Sequence, residues 1–526
     1  MARTRATLKG NSKTTRKFKS SSKLKIVDQS DILKEALAAS TVALNGVKRR
    51  IKKDLNDDHR LAVLNTGAPI NHEIIAAYSA DYRRDNLNTH RENTLSALPL
   101  SYCCESRKFL QTLNYSYSHS LQRVPLATSQ AHSGRCWLFA GLNSMRYYLM
   151  RELHLPDDFE LSEAYLFFYD KLEKANCFLE NIILHRQVDI NDPRLVKIMS
   201  SGPVDDGGLW SFVANLIRKY GIVPKTIYAE SFNSSVSDEM NQVLTDKLAQ
   251  FANEIRLSDL KDQELRLKVL QEMLPVIYQI LSNFMGEPPG PDSEFNWEYH
   301  EVSEHTQQVR QKGEYHLVKS LTPITFYKTY IEEHYDVSEM VLLRNDPRET
   351  SQYRQVYTVD LVSNMVGGQR ELTFNLCMED IKKITAKTVM SGHPVWFACE
   401  VQRDFNPYYG LLAVEGYDYD SLLGLKMRQT KEESILTRNG GPSHAMAIVG
   451  LNLVDEQDLK VDKWKIENSW GEFNVGDPGY LQMTDAWFDR YGYDVVVPIG
   501  MLPDKLRRIY EEHRKNPVVL PFNDAL

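Results

Sequence analysis

Apolar and polar positions change rhythm along the chain, and that change divides it. Residues 138–150 are almost continuously apolar, from Leu138-Phe139-Ala140-Gly141-Leu142 to Met150, which predicts a buried helix opening at Cys136-Trp137. Residues 237–284 carry many charges, yet Leu265, Val269, Leu270, Met273 and Val276 recur at helical spacing. That stripe predicts amphipathic helix packed on a core or on another subunit. Gly286-Glu287-Pro288-Pro289-Gly290-Pro291 then breaks the pattern. Later in the chain, short β-branched and aromatic runs take over, among them Gln355-Val356-Tyr357-Thr358-Val359 and Val395-Trp396-Phe397-Ala398. These predict strands. The expected class is α+β. Its parts are a tail at 1–27, a helical lobe at 28–235, a helical insertion and connector at 236–351, a β-rich lobe at 352–500 and a C-terminal arm at 501–526. No internal repeat is visible, and no apolar run approaches the length of a membrane span.

Chemistry concentrates where the buried helix begins. In Gln130-Ala131-His132-Ser133-Gly134-Arg135-Cys136-Trp137, a side-chain amide precedes a thiol at a helix start. The unpaired N–H groups and positive dipole end of a helix N-terminus favour a thiolate, which is the nucleophilic form. The same N–H groups face a developing oxyanion, and Gln130 offers a second donor. A base appears far downstream in Gly441-Pro442-Ser443-His444-Ala445-Met446-Ala447-Ile448-Val449-Gly450, at the head of a strand-like run. Asn468 follows the next strand-like run, in Trp464-Lys465-Ile466-Glu467-Asn468-Ser469-Trp470-Gly471. If those strands are neighbours, the Asn468 carbonyl fixes the His444 tautomer and Trp470 shields the bond from water. Cys136, His444 and Asn468 are then nucleophile, base and orienter. Taken singly, a cysteine reads as a small buried hydrophobe, and Cys103, Cys104, Cys177, Cys377 and Cys399 are read so.

These strings resemble papain-like cysteine peptidases and, within them, the bleomycin hydrolases. The resemblance extends through Asp206-Gly207-Gly208-Leu209-Trp210, Lys219-Tyr220-Gly221-Ile222-Val223-Pro224-Lys225, Asn345-Asp346-Pro347-Arg348, Ser363-Asn364-Met365-Val366-Gly367-Gly368 and Gly479-Tyr480-Leu481-Gln482-Met483-Thr484-Asp485. It covers nearly all of the chain after the tail. It implies a two-lobed fold with Cys136 on the helical lobe and His444 and Asn468 on the β-rich lobe. Substrate, a peptide or peptide-like amide, would bind between them. Gly207 and Gly208 match the paired glycines that let an extended substrate approach the backbone. The implied activity is hydrolysis through a thioester, releasing N-terminal residues; endopeptidase and homocysteine-thiolactone hydrolase are the alternatives.

The resemblance also implies a homohexameric ring in which the chain's own C-terminus lies in the cleft, its carboxylate pairing with the substrate's free amine. Here that carboxylate falls to Leu526. The family's arm commonly reads Leu-Pro, one residue, then Trp-Asp-Pro-Met-Gly-Ala-Leu. This one reads Leu520-Pro521-Phe522-Asn523-Asp524-Ala525-Leu526, shorter and without the Trp.

Compartment and partners follow from what remains. Six cysteines make no disulfide framework, and Ser133 stands where the secreted papain signature has a half-cystine. No signal peptide is visible. A cytoplasmic enzyme without metal or cofactor is expected, not bound to a membrane. Residues 1–25 hold nine Lys or Arg and no acid, although the whole chain has a formal net charge of −7. Such a tail predicts disorder, with weak nucleic-acid binding or nuclear or organellar targeting as the sharper readings.

Overall fold

The computed structural model describes residues 67–122, 125–302 and 312–526. The basic segment 1–25, with its expected disorder, targeting and nucleic-acid binding, lies outside the described residues. Residues 67–103 form one unit and 104–526 another. The first contributes the helices His72–Tyr82, Asn86–Leu95 and Leu100–Cys103, none of which has a buried residue.

The second unit is built around the helix Cys136–Glu152, in which every residue from Trp137 to Met150 is buried. A helix apolar on all sides has to be covered on all sides. Glu163–Leu184 and Trp210–Tyr220 cover it on one flank, and a sheet covers another. Gly141 permits the close approach of Trp210–Tyr220, since a Cβ there would sit 3.0 Å from Val213 Cγ1.

The charged stretch resolves into Asp238–Leu257, Asp262–Lys268, a π-helical turn at Val269–Met273 and Leu274–Met285. These helices pack on Glu163–Leu184 and join the same core as the Cys136 helix. The buried stripe differs from the one the spacing predicts. Leu265, Val269, Met273, Ile277, Leu281 and Met285 face inward, whereas Leu270 is 58% exposed. A repeat of four residues drifts around a 3.6-residue helix, and the wider π turn takes up that drift. The helix stops at Gly286, whose φ of 82° is open to glycine. Beyond it the chain forms a hairpin, Phe295–Val302 with Lys312–Leu321, that the sequence pattern did not announce.

Among the described residues, twelve strands make the main sheet. Its order is Val518–Leu520, Val356–Val359, Thr373–Asn375, Met340–Arg344, Gly492–Pro498, Val395–Cys399, His444–Asp455, Lys460–Glu467, Tyr480–Thr484, Leu411–Leu412 and Phe405–Asn406, with His119–Ser120 added to His444–Asp455. Met340–Arg344 belongs to this sheet although it precedes residue 352. The central strands are apolar on both faces because both faces are covered. Val395, Phe397 and Cys399 point to a core shared with the helices Met378–Met390, Asp485–Tyr491 and Asp504–His513. Trp396, Ala398 and Ala445 point to the helical core. Trp396 Nε1 donates to Trp137 O across 3.1 Å and ties the sheet to the Cys136 helix.

Candidate active site

Cys136 is the first residue of its helix, and no side chain caps that helix end. The turn before it is stabilised from below. Arg135 is fully buried, donating from Nε to Ser133 Oγ (2.7 Å) and pairing with Glu230 at 2.9 Å. Asp206 accepts from the Gly134 N–H (2.8 Å), Lys171 Nζ (2.7 Å), Ser237 Oγ (2.5 Å) and Asn241 Nδ2 (2.7 Å). One carboxylate thus joins the Cys136 turn to two helices. Burial opposes its ionisation, yet Lys171 and these donors hold its carboxyl well below the usual range. Burial also lowers Lys171, to about 8.

The strand His444–Asp455 pairs antiparallel with Lys460–Glu467, in register Ala447 with Glu467. The head of the first strand therefore lies beside the exit of the second. His444 Nε2 and Asn468 Oδ1 are 2.8 Å apart, and the same oxygen accepts from the Ser469 N–H at 2.8 Å. Among the described residues, nothing hydrogen-bonds to the other ring nitrogen, Nδ1. The Trp470 indole covers the imidazole, centroid to centroid 4.7 Å, and is itself backed by Phe405 at 5.8 Å.

Gln130 is brought to this loop by backbone pairing: its N–H donates to Ser469 O (2.8 Å), and Gly471 N–H donates to Thr128 O (2.9 Å). Ser469 Oγ donates to Gln130 Oε1 at 2.7 Å, which sets the amide orientation. Gln130 Nε2 then donates one hydrogen to Ser133 O (2.5 Å) and keeps a second. Sequence reasoning missed Ser469 and Asp206 as positioning residues, although each adjoins a residue it did single out.

Thiol and imidazole are both tuned by burial. Burial pushes the Cys136 thiol up to about 11, against the N–H groups of Ala445, Trp137 and Cys136 itself, which pull it down. The helix start predicted a lowered value, but desolvation of the thiolate outweighs the N–H groups. Burial also takes His444 down to about 4, against the Asn468 hydrogen bond. Both shifts favour the neutral forms, thiol and imidazole. Among the described residues no hydrogen bond joins Cys136 Sγ to the His444 ring; the sulfur meets the Ala445 N–H one residue along.

Gly207 and Gly208 sit against the Cys136 helix. Trp137 Nε1 donates to Asp206 O (2.7 Å) and Lys174 Nζ to Gly207 O (2.7 Å). A Cβ on Gly208 would lie 2.3 Å from the Trp137 ring. In the arm that ends at Leu526, Asp524 pairs with Arg348, the Asn523 carbonyl accepts from Arg438, and the Leu526 N–H donates to Asp524 Oδ1.

Residues 69–526 match the peptidase C1-like family. The chain belongs to that family. As a papain-like α+β cysteine peptidase, it is similar to bleomycin hydrolase of Homo sapiens, with 32% identity over 464 residues, 87% of this chain and 98% of the relative. It is 35% identical to aminopeptidase C of Lactobacillus delbrueckii subsp. lactis over 399 residues, 75% and 84% of the two chains. The crystal structure of PepW from Lactobacillus rhamnosis superposes with a TM-score of 0.80 at 31% identity, covering 88% of this chain and 99% of that one. Among the described residues no helix is long and apolar enough to cross a membrane, and no group of His, Cys, Asp and Glu is placed to hold a metal ion. None of the six cysteines is in a disulfide.

Proposed function

We propose that the protein is a cysteine aminopeptidase of the bleomycin hydrolase type, with Cys136 as nucleophile, His444 as general base and acid, and Asn468 as the residue that orients His444. The observation that carries this reading is the 2.8 Å contact between His444 Nε2 and Asn468 Oδ1, which leaves Nδ1 free while Cys136 Sγ lies against the next residue's N–H. With substrate bound, His444 takes the Cys136 proton as the sulfur attacks the peptide carbonyl. The free hydrogen of Gln130 Nε2 and the Cys136 N–H face the oxyanion. His444 then gives its proton to the departing amine. Water, deprotonated by His444, hydrolyses the thioester and restores the thiol.

Gly207 and Gly208 supply backbone along which an extended peptide lies, and Trp470 keeps water from the His444–Asn468 bond. The arm ending at Leu526 restricts cleavage to substrates with a free N-terminus. Six cysteines outside any disulfide and Ser133 in place of a half-cystine support a cytoplasmic setting. The family resemblance supports a homohexamer. The test is hydrolysis of one peptide with a free and an acetylated N-terminus, with Cys136→Ala as control. Free-amine substrate should be strongly preferred, and equal cleavage of both would rule out the aminopeptidase reading.

A further inference from the structure

The C-terminal arm is held by several independent contacts. Val518–Leu520 adds a parallel strand to Val356–Val359 at the sheet edge. After Pro521, the Phe522 ring lies under the Arg194 guanidinium, 5.7 Å to the centroid, and Arg194 is itself paired with Asp360 at 2.6 Å. Arg438 donates to Asn523 O at 2.5 Å. Arg438 stands just after the helix Lys431–Leu436, in the segment that runs into His444.

The contact nearest the end is of a different kind. Arg348 grips Asp524 with two nitrogens, Nη2 to Oδ1 at 2.7 Å and Nη1 to Oδ2 at 3.3 Å. The guanidinium is preset from its other side by Asp346, at 2.7 to 3.1 Å. Arg348 and Asp524 side chains are only 9% and 14% exposed, so water screens the pair poorly. Asp524 Oδ1 also accepts the Leu526 N–H at 3.1 Å, folding the last residues back on the ion pair. Burial opposes the charge on Asp524, yet Arg348 and the Leu526 N–H hold its carboxyl below the usual range. A fixed, planar, two-pronged cation matches a carboxylate in angle as well as charge.

We propose that Arg348 is a specificity-determining positioning residue: by clamping Asp524 it sets where Ala525 and Leu526 stand, and so whether the enzyme discriminates against a blocked N-terminus. The inference rests on the reading above that the arm selects free N-termini. Arg348 touches no reacting group, so its loss changes selection between substrates more than turnover of the preferred one. Leu526 is two residues from Asp524 and donates its N–H to that carboxylate at 3.1 Å, so little slack separates the clamp from Leu526.

The test is kcat/KM for the free and the N-acetylated peptide in Arg348→Ala, Asp524→Asn and a deletion of residues 522–526. Asp524→Asn keeps the Arg348–Asp346 contact, which guards against simple unfolding. Loss of one charge-assisted pair should raise the blocked-to-free ratio by about 10–100-fold in both single variants, with kcat on the free peptide little changed. If the deletion raises the ratio while Asp524→Asn leaves it unchanged, the clamp is overturned and the arm reading survives. If the deletion itself leaves the ratio unchanged, the arm reading falls and the clamp with it.

Discussion

Arg146, ten residues along the helix that Cys136 opens, forms a buried ion pair with Glu467, the residue before Asn468. The two side chains are 1% and 0% exposed, and Arg146 also donates to Leu126 O (2.8 Å) and Phe159 O (3.2 Å). The helix that opens at Cys136 is thereby bolted to the strand that leads into Asn468. Removing one partner leaves an uncompensated charge in the interior. Glu467→Ala is expected to lose about 3–5 kcal/mol of unfolding free energy in urea titration. A loss below about 1 kcal/mol would mean that packing, not the ion pair, joins the two elements.

Asn468→Ala should keep the fold but release the imidazole from its tautomer and orientation. General acid–base catalysis contributes about 10²–10⁴ in rate, and kcat should fall within that range with KM nearly unchanged. Steady-state kinetics on a free-amine peptide would show this, and a rise in KM alone would assign Asn468 to binding.

If Gln130 donates to the oxyanion as proposed, Gln130→Ala should lower kcat by about 10²–10³. Ser469→Ala leaves that donor in place but frees its amide to turn, so its effect on kcat should be smaller and of the same kind. Equal losses for the two variants would argue that Gln130 acts by bracing the loop and not by donating to the oxyanion.

The acidic limit of activity follows from His444. Its imidazole is lowered to about 4 by burial, so the neutral base persists from neutral pH down to that value. The plot of kcat/KM against pH should stay flat through pH 5–6 and fall near pH 4, and a fall centred on the ordinary value of 6.5 would contradict the buried setting. Stability moves in the same direction. The unfolded chain takes up a proton on this residue near 6.5 and the folded chain only near 4. Lowering the pH through that window therefore favours the unfolded state.

Gly208 has no room for a side chain, because its Cβ would fall inside the Trp137 ring at 2.3 Å. Gly208→Ala should cost about 1–3 kcal/mol and reduce activity by shifting the turn that faces the site. Gly207→Ala, where the nearest atom is Asp205 Oδ2 at 3.5 Å, should leave stability almost unchanged.

What could be read from the sequence was local. The run from Gln130 to Trp137 announces a helix start because apolar continuity begins at Cys136, and His444 and Asn468 stand out because each borders a β-branched run. Those cues foretold the α+β plan and the neighbouring strands. Distant pairings were hidden. Arg146 and Glu467 lie far apart in the chain and look like ordinary charges until the strand and helix meet. Asp206 gathers four donors from three places, a role no spacing reveals. The π turn at Val269–Met273 shifted the inward face away from Leu270. The Cys136 thiol was misread in direction because helix-end N–H groups are visible in a sequence, whereas depth of burial is not.

The central claim is that peptide hydrolysis passes through an acyl group on Cys136. The most direct measurement is rapid acid quench of the enzyme with a free-amine peptide ester, followed by mass spectrometry of the peptide that contains Cys136. The account predicts a mass increase equal to the acyl group on Cys136 in the wild-type protein. It predicts none in Cys136→Ala, with turnover lower by at least about 10⁴-fold. Undiminished hydrolysis by Cys136→Ala, or acyl label on another residue, would contradict it.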